Sequence, residues 1–413
     1  MRLSRAWEPA TSRSSTKRVA FRESSFSRNG YCRLRVEPPD AAFRRGEAHP
    51  IIGNRLTVDG TDAVRVIFQS RARGAAGYVI LNTVTDRARE HLDEFRMDIG
   101  AHGGGRATLA CVLPADAIMS YQFAWAEPRP LDPRGVTDAR AWVAFVEEAR
   151  PDPSNPLRIV NGRGHRASLF VGPDASVVWP SVPRPDGMRA RREENIGARI
   201  GARLGGSLSR PVIVHDGETE ARRTLVLLDG HIWRANGVGW LTRRYPGLRI
   251  ITIDAGEGGQ REAEMTDIAR VHALVWAVCD EAGVGPVMAA GQSYGGLAVL
   301  DAALRTDVPL DCALSQSPSL WWGGTERGRG EGTLMNGLRA GSIVPRGGLR
   351  LRLQVGTLER TMRPVVDDCG RIVRSYGGPV DVDHYRSGHD VAWWREGIVK
   401  ALDDWCDPAD MRS

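Results

Sequence analysis

Between residues 47 and 126 the apolar positions come in short runs, "AVRVIFQS", "GYVILNTVTD", "EFRMDIG", "ATLACVLP" and "SYQFAWAEP", cut apart by Gly, Pro and Asp. Runs of this length, rich in β-branched and aromatic residues and bounded by turn formers, predict strands, and their close spacing predicts a small β-sandwich. After about residue 166 the pattern changes. Strand-like runs, "RTLVLLDG", "LRIITIDAG", "GPVMAAGQS", "DCALSQSPS" and "LRLRLQVGT", alternate with helix-length segments, clearest in "EMTDIARVHALVWAVCDEAG" and "GGLAVLDAALR". Strands apolar on both faces and separated by helices predict a mostly parallel sheet covered on each side.

Outside these blocks the periodicity fades. Residues 1–45 are rich in Ser and Arg, carry "PPD" and hold no sustained period, which predicts a flexible tail. "RPLDPRG" and "ARPDPSNPLRIVNGRGHR" flank the helix-like "DARAWVAFVEEAR", and their Pro, Asp and Gly content marks a connection. The chain of 413 residues exceeds what one core usually fills. The division expected is a tail over 1–45, a sandwich over 46–150, a linker over 151–165 and an α/β domain over 166–413.

Composition adds little to that picture. Hydrophobic residues at 42% and charged residues at 26% exclude a disordered chain. No stretch approaches the ~20 apolar residues of a membrane-spanning helix and no export signal is visible, so the expectation is a cytoplasmic protein without membrane insertion. The cysteines at 32, 111, 279, 312, 369 and 406 show no metal-site spacing and read as reduced, mostly buried thiols. The net charge of +6 rests on arginine, because only Lys17 and Lys400 are lysines. That is weak support for nucleic acid, which is not expected as a partner, and arginine forks serve small anionic molecules equally well.

Sheets of this kind bind ligands outside the carboxyl ends of their strands, so the residues after each strand carry the candidate chemistry. "AAGQSYGG" has the form G-x-S-x-G where a strand should turn sharply into a helix. Gly291 and Gly295 leave room for that turn, which exposes Ser293 and frees the Tyr294 amide to face an oxyanion. A serine nucleophile needs a base, and the base an acid, in the order Ser, Asp/Glu, His for an α/β-hydrolase fold. Two histidines follow: His384 lies inside a strand-like run and His389 in the loop "SGHD", which makes His389 the better base. Glu359 follows the strand ending near Gly356 and is the expected acid, with Asp367 and Asp368 as competitors. "VLLDGHIW" ends an earlier strand, and its loop supplies the second oxyanion amide, that of His231 or a neighbour. Arg261 opens a helix and either grips an anionic substrate or is a solvated helix start. Trp321 and Trp322 either pack or face an aromatic ligand.

Taken together, "LLDGHIW", "IDAGEGGQREAEM", "AAGQSYGGLAVLDAAL", "ALSQSPSLWW", "QVGTLERTM" and "SGHDVAWWREGI" resemble the landmark segments of the enterochelin (enterobactin) esterases, of the esterase D group of α/β-hydrolases. Upstream, "YVILNTVTD", "SYQF" and "DPSNP" are similar to that family's N-terminal immunoglobulin-like domain, so the resemblance spans roughly residues 60 to 405. It implies an immunoglobulin-like β-sandwich before the hydrolase domain. It places the nucleophile on Ser293, the base on His389 and the acid on Glu359, and puts Arg261, Trp233, Trp321 and Trp322 beside the substrate. The activity implied is hydrolysis of the esters of a cyclic catecholate siderophore. The partner is then a small ferric siderophore, whose iron is substrate, and no cofactor is expected. The sequence departs from the family in the glycine-rich loop "AGEGGQ", in "EAEM" and in the arginine tail. Alternatives are another acyl esterase or acyltransferase of the group, acting on feruloyl or carbohydrate esters, and a non-catalytic siderophore-binding protein.

Overall fold

In a computed structural model that describes residues 32–33, 50–99, 105–126, 139–180, 190–192, 211–256, 259–282, 284–305, 309–345 and 348–406, the strand-like runs of the first part form two facing antiparallel sheets. One has the order β1 (Cys32–Arg33), β6 (Arg106–Pro114), β3 (Thr61–Arg71), β2 (Ile51–Val58), with β5 (Asp98–Ile99) also on β6. The other runs β4 (Ala76–Leu81), β7 (Ile118–Ala126), β9 (Arg166–Val171), β8 (Arg158–Val160). Alternate residues of β3, Val64, Val66 and Phe68, enter the space between the sheets and meet Val79, Leu81 and Tyr121 from the other side. Phe68 meets Tyr121 edge to face at 4.8 Å.

The sandwich runs further than the expected boundary at residue 150. β8 and β9 form a hairpin whose second strand pairs with β7, so the supposed linker 151–165 is part of the sandwich and the start of the α/β domain at 166 is corrected as well. Composition misleads here because Asp152 and Asn155 of "DPSNP" are polar yet buried. Tyr121 donates to Asp152 (2.8 Å), while Asn155 Nδ2 donates to Tyr121 Oη (3.0 Å) and to the Leu169 carbonyl (2.9 Å). Polar side chains satisfied in this way are stable inside. The expected tail over 1–45 lies outside the described residues apart from Cys32–Arg33, whose backbone pairs with β6.

The second part is an α/β-hydrolase fold. Its eight-stranded sheet has the order β10 (Ala190–Arg192), β11 (Val212–His215), β13 (Leu248–Ile253), β12 (Arg223–Leu228), β14 (Val287–Gln292), β15 (Cys312–Gln316), β16 (Arg350–Gly356), β17 (Val380–Tyr385). Only β11 opposes its neighbours; the pairs from β13 across to β17 are parallel. β14 is buried along its whole length, which explains its unbroken apolar and small-residue sequence. The strand order reverses at β12, whose successors lie on opposite sides of it, and that switch point leaves a crevice at the strand ends.

Apolar side chains cover both faces of this sheet. On one, Val275 and Val278 of the helix Ile268–Ala282 pack with Leu297 and Leu300 of the helix Tyr294–Arg305. On the other, the C-terminal helix Val391–Trp405 packs together with Ile118, Ile159 and Leu169 of the sandwich, so the two parts share one core. Cys111, Cys279, Cys312, Cys369 and Cys406 are buried. Among the described residues no helix is long and apolar enough to cross a membrane.

Candidate active site

Ser293 sits at the turn between β14 and the helix Tyr294–Arg305 with φ at 59°, in the left-handed region that non-glycine residues rarely adopt. The turn closes because its neighbours are glycines: a Cβ on Gly291 would overlap the Gly295 carbonyl. Ser293 N donates to the Gln316 carbonyl (3.0 Å), and Ser319 N donates back to the Ser293 carbonyl (3.1 Å). The serine backbone is thereby fixed against the end of β15. Its hydroxyl lies 3.4 Å from Ser319 Oγ and opens into a cavity that His389 also lines. The Tyr294 amide is in the first turn of the helix, where no intrahelical acceptor reaches it.

Glu359 follows β16 and is buried with both oxygens engaged. Oε2 accepts from Gly356 N (2.8 Å) and Ser317 Oγ (2.6 Å), and Oε1 pairs with His389 Nδ1 (2.6 Å). An ionised carboxylate there keeps the proton on Nδ1 and leaves Nε2 as the ring's acceptor. The imidazole rests edge-on against Trp394 (4.8 Å between ring centres), whose indole N–H donates to Ser317 Oγ. The competing residues are engaged elsewhere: Asp367 pairs with His384 (2.7 Å), and Asp368 with Arg339 and Arg371. Of the candidate acids, Glu359 alone meets His389.

The loop after β12 carries Asp229, also left-handed (φ 57°), then Gly230 and His231. A Cβ on Gly230 would lie 2.8 Å from that of Thr252, so this chain segment presses onto β13. Arg261 holds the loop in place, with Nε and Nη2 each donating to an Asp229 carboxylate oxygen at 2.6 Å. Arg261 lines the cavity with its fork paired to Asp229, so it buttresses the loop at the cavity wall. His231 lines the same cavity.

The tryptophans divide. Trp321 lines the cavity, with the Arg327 guanidinium 5.7 Å above its ring. Trp322 is not among the lining residues and instead packs behind it, 5.6 Å from Tyr294 and 6.0 Å from Trp321. Trp233 reaches the cavity wall, yet it is 1% exposed and donates to the Leu228 carbonyl (3.0 Å), which makes it a support rather than a free aromatic face.

The cavity measures about 590 Å³ and lies between the two parts of the protein. Its sandwich wall holds Thr83, Arg87, Arg89, Trp142 and Arg163, none of which was signalled by the sequence, because no local pattern tells which loops meet across a fold. Around the rim five arginines (87, 89, 163, 261, 327) outnumber two carboxylates (Asp86, Asp229). Arg163 pairs with Asp86 (3.1 Å) and Arg327 with Glu262 (2.7 Å). Among the described residues Arg87 and Arg89 have no carboxylate partner, and Arg89 lies over the Trp142 ring at 5.8 Å. Among the described residues no three His, Cys, Asp or Glu side chains group as metal ligands.

Backbone strain gathers at this site. Among the described residues five non-glycine residues have positive φ: Thr83, Asp229 and Ser293 line the cavity, Ser317 stands behind it against Glu359, and Asp59 is remote, in the β2–β3 turn. Each such conformation costs about 1–2 kcal/mol and persists where its surroundings enforce it.

No protein-family model matches the chain. Over 294 residues it is 29% identical to the iron(III) enterobactin esterases of Escherichia coli K12 and of E. coli O6:H1 strain CFT073, alignments that cover 65% of this chain and 70% of each of those proteins. Among solved structures it is similar to the enterobactin esterase of Shigella flexneri in the presence of enterobactin, with a TM-score of 0.68 and 25% identity over 85% of this chain and 95% of that one.

Proposed function

We propose that this chain, as a member of the enterochelin esterase family, is a serine esterase that opens the ester bonds of an anionic catecholate siderophore. The observation that carries the reading is the convergence, on one arginine-rimmed cavity, of Ser293 at its strained turn and of the His389–Glu359 pair. Rotation of the Ser293 hydroxyl from Ser319 toward His389 completes the relay, since catalytic hydrogen bonds are often loose before substrate binds.

His389 Nε2 takes the Ser293 proton as Oγ bonds to the ester carbonyl carbon, and the oxyanion rests on the Tyr294 amide and on the His231 loop. A single such donor is worth about 3 kcal/mol of barrier. His389 then gives the proton to the departing alkoxide, and water, deprotonated by the same nitrogen, releases the acid from Ser293. Glu359 holds the imidazole tautomer throughout. Ferric iron enters only as part of the substrate, whose tris-catecholate complex is anionic and aromatic. The arginine rim and the Trp321 face suit it. Cleavage would release the iron in the cytoplasm.

The test is chromatographic. Ferric enterobactin incubated with the protein should yield linear trimer and shorter fragments, and Ser293→Ala and His389→Ala should yield none. Fragments from Ser293→Ala would remove the serine mechanism. No fragments from the unaltered protein, with simple aryl esters still cleaved, would transfer the triad to a different acyl substrate.

A further inference from the structure

The loop that carries His389 is gripped from outside its own domain. Asn82 Nδ2 (3.2 Å) and Thr83 Oγ1 (3.0 Å) both donate to the His389 carbonyl. The next side chain, Asp390, is buried and accepts from the backbone N–H (2.7 Å) and hydroxyl (3.0 Å) of Ser120 on β7. The peptide between the two residues is thus held by the sandwich on both sides. Gly388 permits the approach, because a Cβ there would lie 2.7 Å from that of Thr83.

Thr83 gives up two ordinary preferences to make this contact. It occupies the N-cap of the helix Val84–Arg87, where a threonine hydroxyl normally accepts from a helical N–H, yet no such bond forms. Its φ of 66° is also disfavoured for a β-branched residue. A hydroxyl that neither caps its helix nor relaxes its backbone, and that instead reaches a carbonyl 306 residues along the chain, serves that carbonyl.

We propose that Asn82 and Thr83 of the sandwich are positioning residues for the reaction, setting the imidazole of His389 by clamping its backbone carbonyl. The proposal rests on the triad reading above. It makes the sandwich part of the catalytic apparatus and not only a wall of the cavity.

Turnover of p-nitrophenyl butyrate by the full chain tests it, with Ser293→Ala alongside. Glycine suits the backbone at position 83, so Thr83→Gly removes the hydroxyl without loss of melting temperature. The double variant Asn82→Ala/Thr83→Gly should lose about tenfold in kcat with KM held within about twofold, because small misplacement of a base slows the step without weakening binding. Thr83→Ser should keep the parent kcat. A double variant with turnover within about twofold of the parent would overturn the clamp, as would a loss shared by Thr83→Ser and Thr83→Gly. Should the double variant not fold, Thr83→Gly alone decides against Thr83→Ser. Turnover by Ser293→Ala would sink the triad reading instead, which keeps the two failures apart.

Discussion

Glu359 satisfies three donors with two oxygens, those of Gly356, Ser317 and His389, while itself buried. Replacement by glutamine keeps the shape but exchanges one acceptor for an N–H group that faces another donor. Glu359→Gln should therefore lower kcat by about 10²–10⁴-fold by disfavouring the productive imidazole tautomer. Steady-state kinetics beside a thermal melt checks this, the melt shifting only slightly. That Glu359 stands after a strand was legible from "QVGTLERTM", and so was its place between Ser293 and His389 in chain order. What fixes it was not: Ser317 gives no local signal, and its donation depends on a left-handed backbone that no composition reveals. Arg261 shows the same limit: its pairing with Asp229, 32 residues earlier, leaves no mark in the local sequence.

Among elements, the turn after β14 tolerates little change. Gly291→Ala should destabilise the protein by about 3 kcal/mol or more, because the new methyl meets backbone that cannot move aside. Soluble yield and melting temperature would show it. One strand in from the edge of the sheet, β11 ends in His215, which is 6% exposed. Burial, with Arg234 adding to it, lowers this imidazole to about 4 from its ordinary value near 6.5. The folded protein therefore favours the neutral ring, and between those values the unfolded chain binds more protons. Stability present above pH 6.5 is lost as pH falls toward 4, by up to about 3 kcal/mol. His215→Asn should flatten that acid limb, read by urea unfolding at pH 7 and pH 4.5. The long apolar strands were legible because both their faces are covered; the β8–β9 hairpin was not, since its buried Asp152 and Asn155 look in sequence like a linker.

Across the whole molecule, the cavity belongs to neither part alone. Arg87 and Arg89 reach it from the sandwich without carboxylate partners among the described residues, so they are the charges most available to an anionic substrate. Arg87→Ala/Arg89→Ala should raise KM for ferric enterobactin by about tenfold, an effect that shrinks with added salt, while KM for a neutral aryl ester stays put. Two parts, their classes and the chain order of Ser293, Glu359 and His389 could be read along the chain. The clamp between Thr83 and His389 could not, as a sequence without paired comparisons carries no information on which distant loops touch. The left-handed residues at the site bear on how such a protein would answer selection for heat tolerance. Glycine at 83, 229, 293 or 317 would ease about 1 kcal/mol of backbone strain. Each exchange also deletes a side chain that the site uses, and at 229 and 317 it strands Arg261 or Glu359 without its partner. The strain is thus held in place by the contacts that build the site, and an engineer seeking a robust catalyst should look for gains elsewhere.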